Sequence, residues 1–229
     1  KDISNLVVKE KADFGIVVDP DVDRLAFVCE DGTIFGEEYT LVSVADFVLS
    51  KLGGNAVSNL SSTRALSDIT YKYGGEYFAS AVGEVNVVEK MKETNAIIGG
   101  EGNGGVIYPK LHYGRDALVG IALFLTYLSE KDLSVSELRS SYPNYFISKN
   151  KIQLTDSTDM QFIISELANK YSKEKINLID GLKIDFDEGW VHLRKSNTEP
   201  IVRIYSESIS KQKADKLAST FVEEIKSLI

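Results

Sequence analysis

Three aspartates alternate with other residues in the segment Asp19-Pro20-Asp21-Val22-Asp23-Arg24, which lies between two short apolar runs. On one tight turn their carboxylates would repel one another unless a cation lay between them. Ligand sets made only of oxygen favour Mg²⁺, Mn²⁺ or Ca²⁺ over zinc. An EF-hand is excluded, because Arg24 occupies the sixth position, where that loop needs glycine, and because the flanks are strand-like. We therefore expect a metal site with Asp19, Asp21 and Asp23 as ligands; the alternative is an acidic turn exposed to water.

A second candidate is the glycine-rich segment 99–105, Gly-Gly-Glu-Gly-Asn-Gly-Gly. It contains the pattern G-x-G-x-x-G, but a dinucleotide-binding fingerprint must open directly into a helix. Here an extended segment follows, and Pro109 would disrupt a helix begun there, which argues against an NAD site. We interpret the segment as a flexible loop that presents Glu101 and Asn103 to the paired hydroxyls of a sugar. A plain glycine-rich turn is an equally open alternative.

A third candidate is the segment 194–203, Arg-Lys-Ser-Asn-Thr-Glu-Pro-Ile-Val-Arg. Arginine offers bidentate donors to phosphate, hydroxyls add neutral donors, and turn N–H groups can complete an anion site. Such a basic cluster is unusual in a chain of net charge −8. Phosphate binding is favoured; the alternative is a loop that forms salt bridges with neighbouring acids such as Glu199 and Glu207.

Other reactive residue types carry less information. His112 and His192 belong to no Ser-His-Asp or Cys-His constellation, and a structural function is favoured for both. Arg115 could contact a phosphate, but a position at the start of a helix is the favoured interpretation. Cys29 is the only cysteine, which excludes an internal disulfide and a cysteine-based zinc site; it is expected to be a small buried residue.

Strand-like and helix-like segments alternate through the first two-thirds of the chain. The predicted strands are 14–18, 25–29, 56–60, 77–81 and 96–98, and the predicted helices are 37–51, 64–73, 84–94 and 115–130. Ser134 to Glu137 fits a capping box that opens a further helix. Alternation of this kind indicates βαβ units with a mainly parallel or mixed sheet, whose ligands bind beyond the carboxyl ends of strands.

The pattern changes after Pro143. A long strand over 145–154, a helix over 161–171, strands near 182–186, 190–194 and 201–205, and a final helix over 211–228 are predicted. The charged stretch 172–175 is interpreted as a solvated helix end. Strands grouped in this way predict a separate small α+β domain.

Composition limits the class of protein. The 229 residues are 43% apolar, enough to bury a core. The negative net charge argues against general binding to nucleic acid or to an anionic membrane, and no apolar run reaches the roughly 20 residues of a membrane span. We expect a cytoplasmic protein, and the first residue, Lys1, leads us to expect a piece of a longer one.

With the three segments in this order, the sequence resembles the C-terminal half of an α-D-phosphohexomutase, the family of phosphoglucomutases, phosphomannomutases and phosphoglucosamine mutases. The family's metal loop is represented by DPDVDR, its sugar loop by GEGNGG and its phosphate loop by RKSNTEPIVR, while VGEVNVVEKM is also similar. The resemblance implies four domains in the whole enzyme. It assigns 1–36 to the tail of domain 2, 37–148 to α/β domain 3 and 149–229 to α+β domain 4.

The resemblance also implies the function of individual residues. Asp19, Asp21 and Asp23 would hold Mg²⁺ beside Arg24, and Glu101 and Asn103 would bind sugar hydroxyls. The phosphate that is not transferred would be held by Arg194, Ser196, Asn197, Thr198 and Arg203. A phosphoserine would exchange its phosphoryl group with a hexose phosphate through a bisphosphate intermediate. The loop with that serine is absent from this sequence, so the nucleophile is expected in missing N-terminal domains of the same polypeptide, and this chain alone is expected to be inactive.

The sugar loop narrows the expected substrate. Asn103 and Gly105 stand where many relatives have serine and histidine, and Ala81 stands where many have a basic residue. This form resembles phosphoglucosamine mutases, which leads us to expect conversion of glucosamine 6-phosphate to glucosamine 1-phosphate for cell-envelope amino-sugar synthesis. The alternatives are phosphoglucomutase or phosphomannomutase activity, and a non-catalytic module that binds phosphosugars.

Overall fold

The computed structural model describes residues 2–155, 158–196 and 198–229. The chain divides into two compact units, the first ending at Pro143 and the second beginning at Asn144. Both units mix helices and strands. Within the described ranges, no helix is long and apolar enough to cross a lipid bilayer.

The first unit opens with α1 (Asp2–Glu10), β1 (Phe14–Val18) and β2 (Leu25–Cys29). The two strands form an antiparallel pair whose bounds match the predicted apolar runs. The helix α1 has no counterpart among the predicted elements, and Val7 is the one buried residue of its nine. After β2 the chain reverses at Asp31-Gly32, and the Cys29 N–H donates to the Thr33 carbonyl at 2.8 Å.

The remaining elements of this unit follow the predicted alternation. They are α2 (Glu37–Leu52), β3 (Ala56–Asn59), α3 (Ala65–Lys72), β4 (Tyr77–Ser80), α4 (Glu84–Glu93), β5 (Ile98–Glu101), β6 (Gly105–Ile107), α5 (Ala117–Lys131) and α6 (Val135–Ser140). In the order β4-β3-β5-β6, β3 runs parallel to β4 and to β5, whereas β6 runs antiparallel to β5. Parallel neighbours need crossover connections, which α3 and α4 provide. The predicted mixed sheet is confirmed.

The glycine-rich segment differs from its prediction. Strand β5 starts later than expected and continues through Gly99 and Gly100 to Glu101, and Gly105 already belongs to β6. The segment is thus a tight hairpin between paired strands and not a flexible loop. Met91 Sδ would lie 2.5 Å from a Cβ at Gly99, and the Gly105 carbonyl would lie 1.9 Å from one at Gly100. Glycine is required there because neighbouring atoms approach the backbone closely.

Local signals and apolar packing position the helices of this unit. The Asp116 carboxylate caps α5 by accepting the Val119 N–H at 3.0 Å, and the predicted capping box of Ser134 and Glu137 is present at α6. The rings of Phe27 and Phe124 stack with centroids 3.8 Å apart, so β2 and α5 share one core.

A buried polar cluster surrounds Asp46, which lies in the middle of α2 and is 3% exposed. Its carboxylate accepts hydrogen bonds from three tyrosine hydroxyls, those of Tyr73 (2.7 Å), Tyr127 and Tyr142 (3.0 Å). Lys72 Nζ lies 3.4 Å from it. Burial first, and then the hydrogen bonds to Asp46 and its negative charge, raise the pKa of all three tyrosines. The cluster ties α2 to α3, α5 and the end of the unit.

The second unit is an antiparallel sheet with two helices. Its elements are β7 (Phe146–Gln153), α7 (Met160–Lys170), β8 (Lys175–Asn177), β9 (Leu182–Phe186), β10 (Gly189–Lys195), β11 (Ile201–Ser208) and α8 (Lys211–Leu228). The sheet order is β7-β11-β10-β9-β8. Strand β8 includes the end of the charged stretch 172–175, so the interpretation of that stretch as a helix end is wrong at Lys175, which pairs with Asp185 across the sheet.

Alternate residues of this sheet have different surroundings. Val202, Ile204, Val191 and Leu193 join the core formed with α7 and α8. His192 lies between two of these core positions in β10, is fully buried, and its Nε2 lies 2.7 Å from the Asp180 carbonyl. Burial lowers the pKa of His192 to about 4, so the imidazole is neutral at pH 7 and its function is structural, as the sequence favours.

Candidate functional site

The acidic loop between β1 and β2 brings three carboxylates together. Ligand oxygens of Asp19, Asp21 and Asp23 all lie within 4.8 Å of one another. Asp19 Oδ1 accepts the backbone N–H groups of Asp23 (3.2 Å) and Arg24 (3.1 Å), which folds the loop back on itself. Val22 adopts a φ of 57°, a left-handed conformation that a β-branched residue rarely takes. The loop therefore holds one residue in a strained backbone conformation.

Charges around the loop are unevenly compensated. Burial acts to raise the pKa of Asp19, but hydrogen bonds from the backbone and side chain of Arg24 outweigh it and lower that pKa to about 2. The Arg24 Nε lies 2.5 Å from Asp19 Oδ2. Burial raises the pKa of Asp23, the Arg115 charge opposes that rise, and the Asp19 carboxylate adds to it.

These residues fit a hard divalent cation. In the part of the chain that the structure describes, Asp23 Oδ1 is a buried oxygen with no hydrogen-bond donor, although Arg24 Nε lies 3.5 Å away. Such an acceptor needs a partner. Three carboxylates and no nitrogen or sulfur ligand match the preference of Mg²⁺.

The hairpin of β5 and β6 lies beside this loop. The Leu25 N–H donates to the Gly104 carbonyl at 3.1 Å. Gly104 has a φ of +88°, and a Cβ there would meet the Leu25 carbonyl oxygen at 2.1 Å, so only glycine fits. A cavity of about 280 Å³ is lined by residues of both segments, including Asp19, Arg24 and Asn103, and by Glu37. The structure thus brings Asn103 to the acidic loop.

Glu101 has a different environment from Asn103, since it is 5% exposed and bonded on both carboxylate oxygens. Its Oε1 accepts Asn59 Nδ2 at 2.8 Å and the Gly83 N–H at 3.2 Å. Its Oε2 accepts Arg115 Nη1 at 2.9 Å. Asn59 and Glu101 end the neighbouring parallel strands β3 and β5, where a sheet of this kind places its ligands. Glu101 therefore connects the hairpin to the end of β3, to the start of α4 and to Arg115.

The sequence favours a helix-start position for Arg115, and the structure adds a function that this interpretation missed. Arg115 directly precedes the N-cap Asp116 of α5, and its guanidinium pairs with three carboxylates, those of Asp23, Glu84 and Glu101. The available sequence signal for this function was an arginine directly after Gly114 in a chain with more acidic than basic residues. Its partners are 14 to 92 residues away, so no local pattern identifies them.

The basic loop between β10 and β11 forms the second candidate site. The N–H of Ser196 donates to the Ile201 carbonyl at 2.9 Å, and Ser196 Oγ lies 3.4 Å from Thr198 Oγ1. Arg203 pairs with Glu199 at 3.4 Å, as the salt-bridge alternative predicts, whereas Glu207 accepts Trp190 Nε1 at 2.7 Å. Asn197 lies outside the described residues.

Strand register adds Lys151 to this site, a residue that the sequence did not single out. Arg203 is directly opposite Arg194 on one side and Lys151 on the other. Like charges opposite one another destabilise a sheet, so a row of three cations favours an anionic ligand. A cavity of about 220 Å³ beside this row is lined by residues that include Lys151, Arg203 and Tyr205. Arg194 itself has Asp180 3.8 Å away.

The sequence matches two models of one family, each over one part of the chain. Residues 36–145 match the alpha/beta/alpha domain III of phosphoglucomutase/phosphomannomutase, and residues 151–224 match its C-terminal domain. The chain belongs to this family. The expected resemblance is confirmed.

Individual relatives agree with this assignment. The chain is 38% identical over 206 residues to a phosphoglucomutase/phosphomannomutase of Thermococcus kodakarensis, covering 89% of this chain and 45% of that one. It is 32% identical over 234 residues to a phosphoglucosamine/phosphogalactosamine mutase of Sulfurisphaera tokodaii, covering 100% and 50%. A crystal structure of a family protein from Burkholderia thailandensis superposes with a TM-score of 0.85 at 28% identity, covering 100% and 49%. The chain spans about half the length of these proteins.

Proposed function

We propose that this chain is the sugar- and phosphate-binding half of a Mg²⁺-dependent phosphohexomutase, which interconverts hexose 6-phosphate and hexose 1-phosphate. The observation that carries the proposal is the shared cavity of the acidic loop and the hairpin, where Asp19, Arg24 and Asn103 meet. A site for a hard cation next to an amide donor and acceptor suits a phosphorylated sugar, which offers both anionic oxygens and hydroxyls.

In this proposal each loop has one task. Asp19, Asp21 and Asp23 hold Mg²⁺, which would stabilise charge on the transferring phosphoryl group. Asn103 binds sugar hydroxyls, and Glu101 does so with an orientation fixed by its protein partners. In the second unit, the phosphate that is not transferred is bound by Arg194, Ser196, Asn197, Thr198 and Arg203.

The proposed residues act by positioning the substrate and by stabilising charge. Arg24 lies beside the acidic loop with 49% of its side chain exposed, so it can contact a phosphoryl oxygen while it pairs with Asp19. Transfer itself would need a phosphoserine from a part of the polypeptide outside this chain, with a hexose bisphosphate as intermediate. Phosphoryl transfer depends on such positioning and charge stabilisation. We therefore propose that this chain alone binds phosphosugars and does not turn them over.

We further propose the domain assignment 1–36, 37–148 and 149–229 for the tail of domain 2, domain 3 and domain 4. Glucosamine 6-phosphate is the proposed substrate, supported by the name of the Sulfurisphaera relative and by the GEGNGG form of the hairpin. Glucose 6-phosphate and mannose 6-phosphate are the comparators, because another relative is named as a phosphoglucomutase/phosphomannomutase.

Calorimetric titration of the chain with glucosamine 6-phosphate, glucose 6-phosphate and mannose 6-phosphate in the presence of Mg²⁺ tests the proposal. We expect binding that Arg194→Ala weakens by about tenfold or more, because a charge-assisted phosphate contact is lost. Lys170→Ala is the matched control, since it removes a cation of the same unit that pairs with Glu224 at 2.8 Å. Equal affinities of the chain and Arg194→Ala, or no binding of any of the three sugars, would contradict the proposal.

A further inference from the structure

The Arg115 side chain joins the acidic loop, the start of α4 and the hairpin. Its backbone N–H donates to Glu84 Oε1 at 3.0 Å, and its guanidinium lies 3.3 Å from Glu84 and 2.9 Å from Glu101. A third contact goes to Asp23 Oδ2. The side chain is 18% exposed. Gly105 leaves room for it, since a Cβ there would lie 2.3 Å from Arg115 Cδ.

The contact with Asp23 places Arg115 in competition with a cation. Asp23 Oδ2 is occupied by the guanidinium, and Asp23 Oδ1 is the buried oxygen without a hydrogen bond among the described residues. A cation held by the three aspartates would share the Asp23 carboxylate with a positive group at contact distance. Two positive charges at such distances repel each other, so the guanidinium opposes binding of the cation.

The acidic loop has hydrogen bonds of its own that do not involve Arg115. The Asp23 N–H is bonded to Asp19 Oδ1, and Asp19 is held by Arg24. Glu101 likewise keeps its contacts with Asn59 and Gly83. Loss of the guanidinium is therefore expected to remove positive charge from the loop while these hydrogen bonds hold the carboxylates.

We infer that Arg115 is a positioning residue that serves as the internal counter-ion of the acidic loop and limits its affinity for a divalent cation. When the cation binds, Arg115 yields Asp23 and keeps Glu84 and Glu101. Cation binding and the environment of Glu101 are thereby coupled through one side chain. The inference rests on the proposed function in that the acidic loop is taken as the cation site.

Titration of the 229-residue chain with Mn²⁺, followed by the electron paramagnetic resonance of free Mn²⁺, tests this inference. We expect Arg115→Met to bind Mn²⁺ on the order of tenfold more tightly than the unaltered chain, because the competing charge is gone. Arg115→Lys should lie between the two, since a lysine keeps one charge but lacks the planar fork that spans several carboxylates.

Two controls identify the site. Lys51→Met removes a surface cation that pairs with Glu130 at 2.5 Å and should leave Mn²⁺ affinity unchanged. Adding Asp21→Asn to Arg115→Met should abolish the gain. If Arg115→Met binds Mn²⁺ with equal or lower affinity than the unaltered chain, or does not bind it, the inference is overturned. Should that variant not fold, an affinity of Arg115→Lys at or below the unaltered value has the same consequence. Because no sugar phosphate is present, these results are independent of the phosphosugar titration.

Discussion

Replacing Glu101 by glutamine separates its scaffold contacts from its charge. Both Asn59 and Gly83 donate to Oε1, while Arg115 alone donates to Oε2 among the contacts described. The amide oxygen of glutamine can therefore keep the first two hydrogen bonds. Its NH₂ group then faces the Arg115 guanidinium, donor against donor, in a site where the side chain is almost fully buried.

The expected magnitude follows from that single altered contact. A hydrogen bond between charged groups contributes about 1.5–3 kcal/mol, and Arg115 retains two other carboxylates, which keeps the cost below that of an isolated buried charge. We expect Glu101→Gln to lower the free energy of unfolding of the first unit by about 2 kcal/mol.

Urea unfolding of the chain provides the measurement. Eight of its 11 tyrosines precede Pro143, so near-ultraviolet circular dichroism of tyrosine reports mainly on the first unit, whereas the fluorescence of Trp190 reports on the second. The matched control is Glu130→Gln, whose carboxylate forms a surface pair with Lys51 and should contribute about 0.5 kcal/mol or less. If Glu101→Gln costs no more than this control, the ion pair with Arg115 contributes nothing net and the reasoning is refuted.

Two further predictions concern buried polar groups. The pKa of His192 is lowered to about 4 in the folded chain, so folding favours the neutral imidazole. The contribution of His192 to the free energy of unfolding is therefore fully present above its unfolded pKa of about 6.5, and it is lost as the pH falls towards 4, by about 3 kcal/mol in total. Urea unfolding followed by Trp190 fluorescence from pH 7 to 4 should show this slope in the chain and in His112→Gln, but less of it in His192→Gln; equal slopes in all three would exclude His192 as the cause. In the first unit, Asp46→Asn should cost about 3 kcal/mol, since a buried charge that accepts three hydroxyls is lost. The raised pKa of Tyr73, Tyr127 and Tyr142 should delay their ionisation, measured as absorbance at alkaline pH, until the chain unfolds. An unfolding midpoint in urea that Asp46→Asn leaves unchanged would contradict this account of the cluster.

Local patterns were sufficient for most of the elements. The apolar runs of β1 and β2 and the amphipathic helix α8 have the bounds that the sequence predicts, because each is determined by residues adjacent in the chain. Capping at Ser134 is equally local. Alternating aspartates bring their oxygens together within one turn, so the acidic loop was recognisable from spacing alone. By contrast, β8 is only three residues long and carries a weak pattern, so it depends on its pairing with β9.

Tertiary structure decided which of these groups meet. Asn59 reaches Glu101 across 42 residues, because the order of parallel strands brings their carboxyl ends to one edge. Arg115 reaches Asp23 across 92 residues, because the packing of the unit brings the start of α5 to the loop between β1 and β2. Tyr142 reaches Asp46 across 96 residues because the end of the unit packs against α2. The row of Lys151, Arg203 and Arg194 depends on strand register, because a slip of one residue would move every side chain of a strand to the other face of the sheet. Sequence determined the chemical groups and their local geometry, and the packing of sheet and helices determined the charge that each one faces.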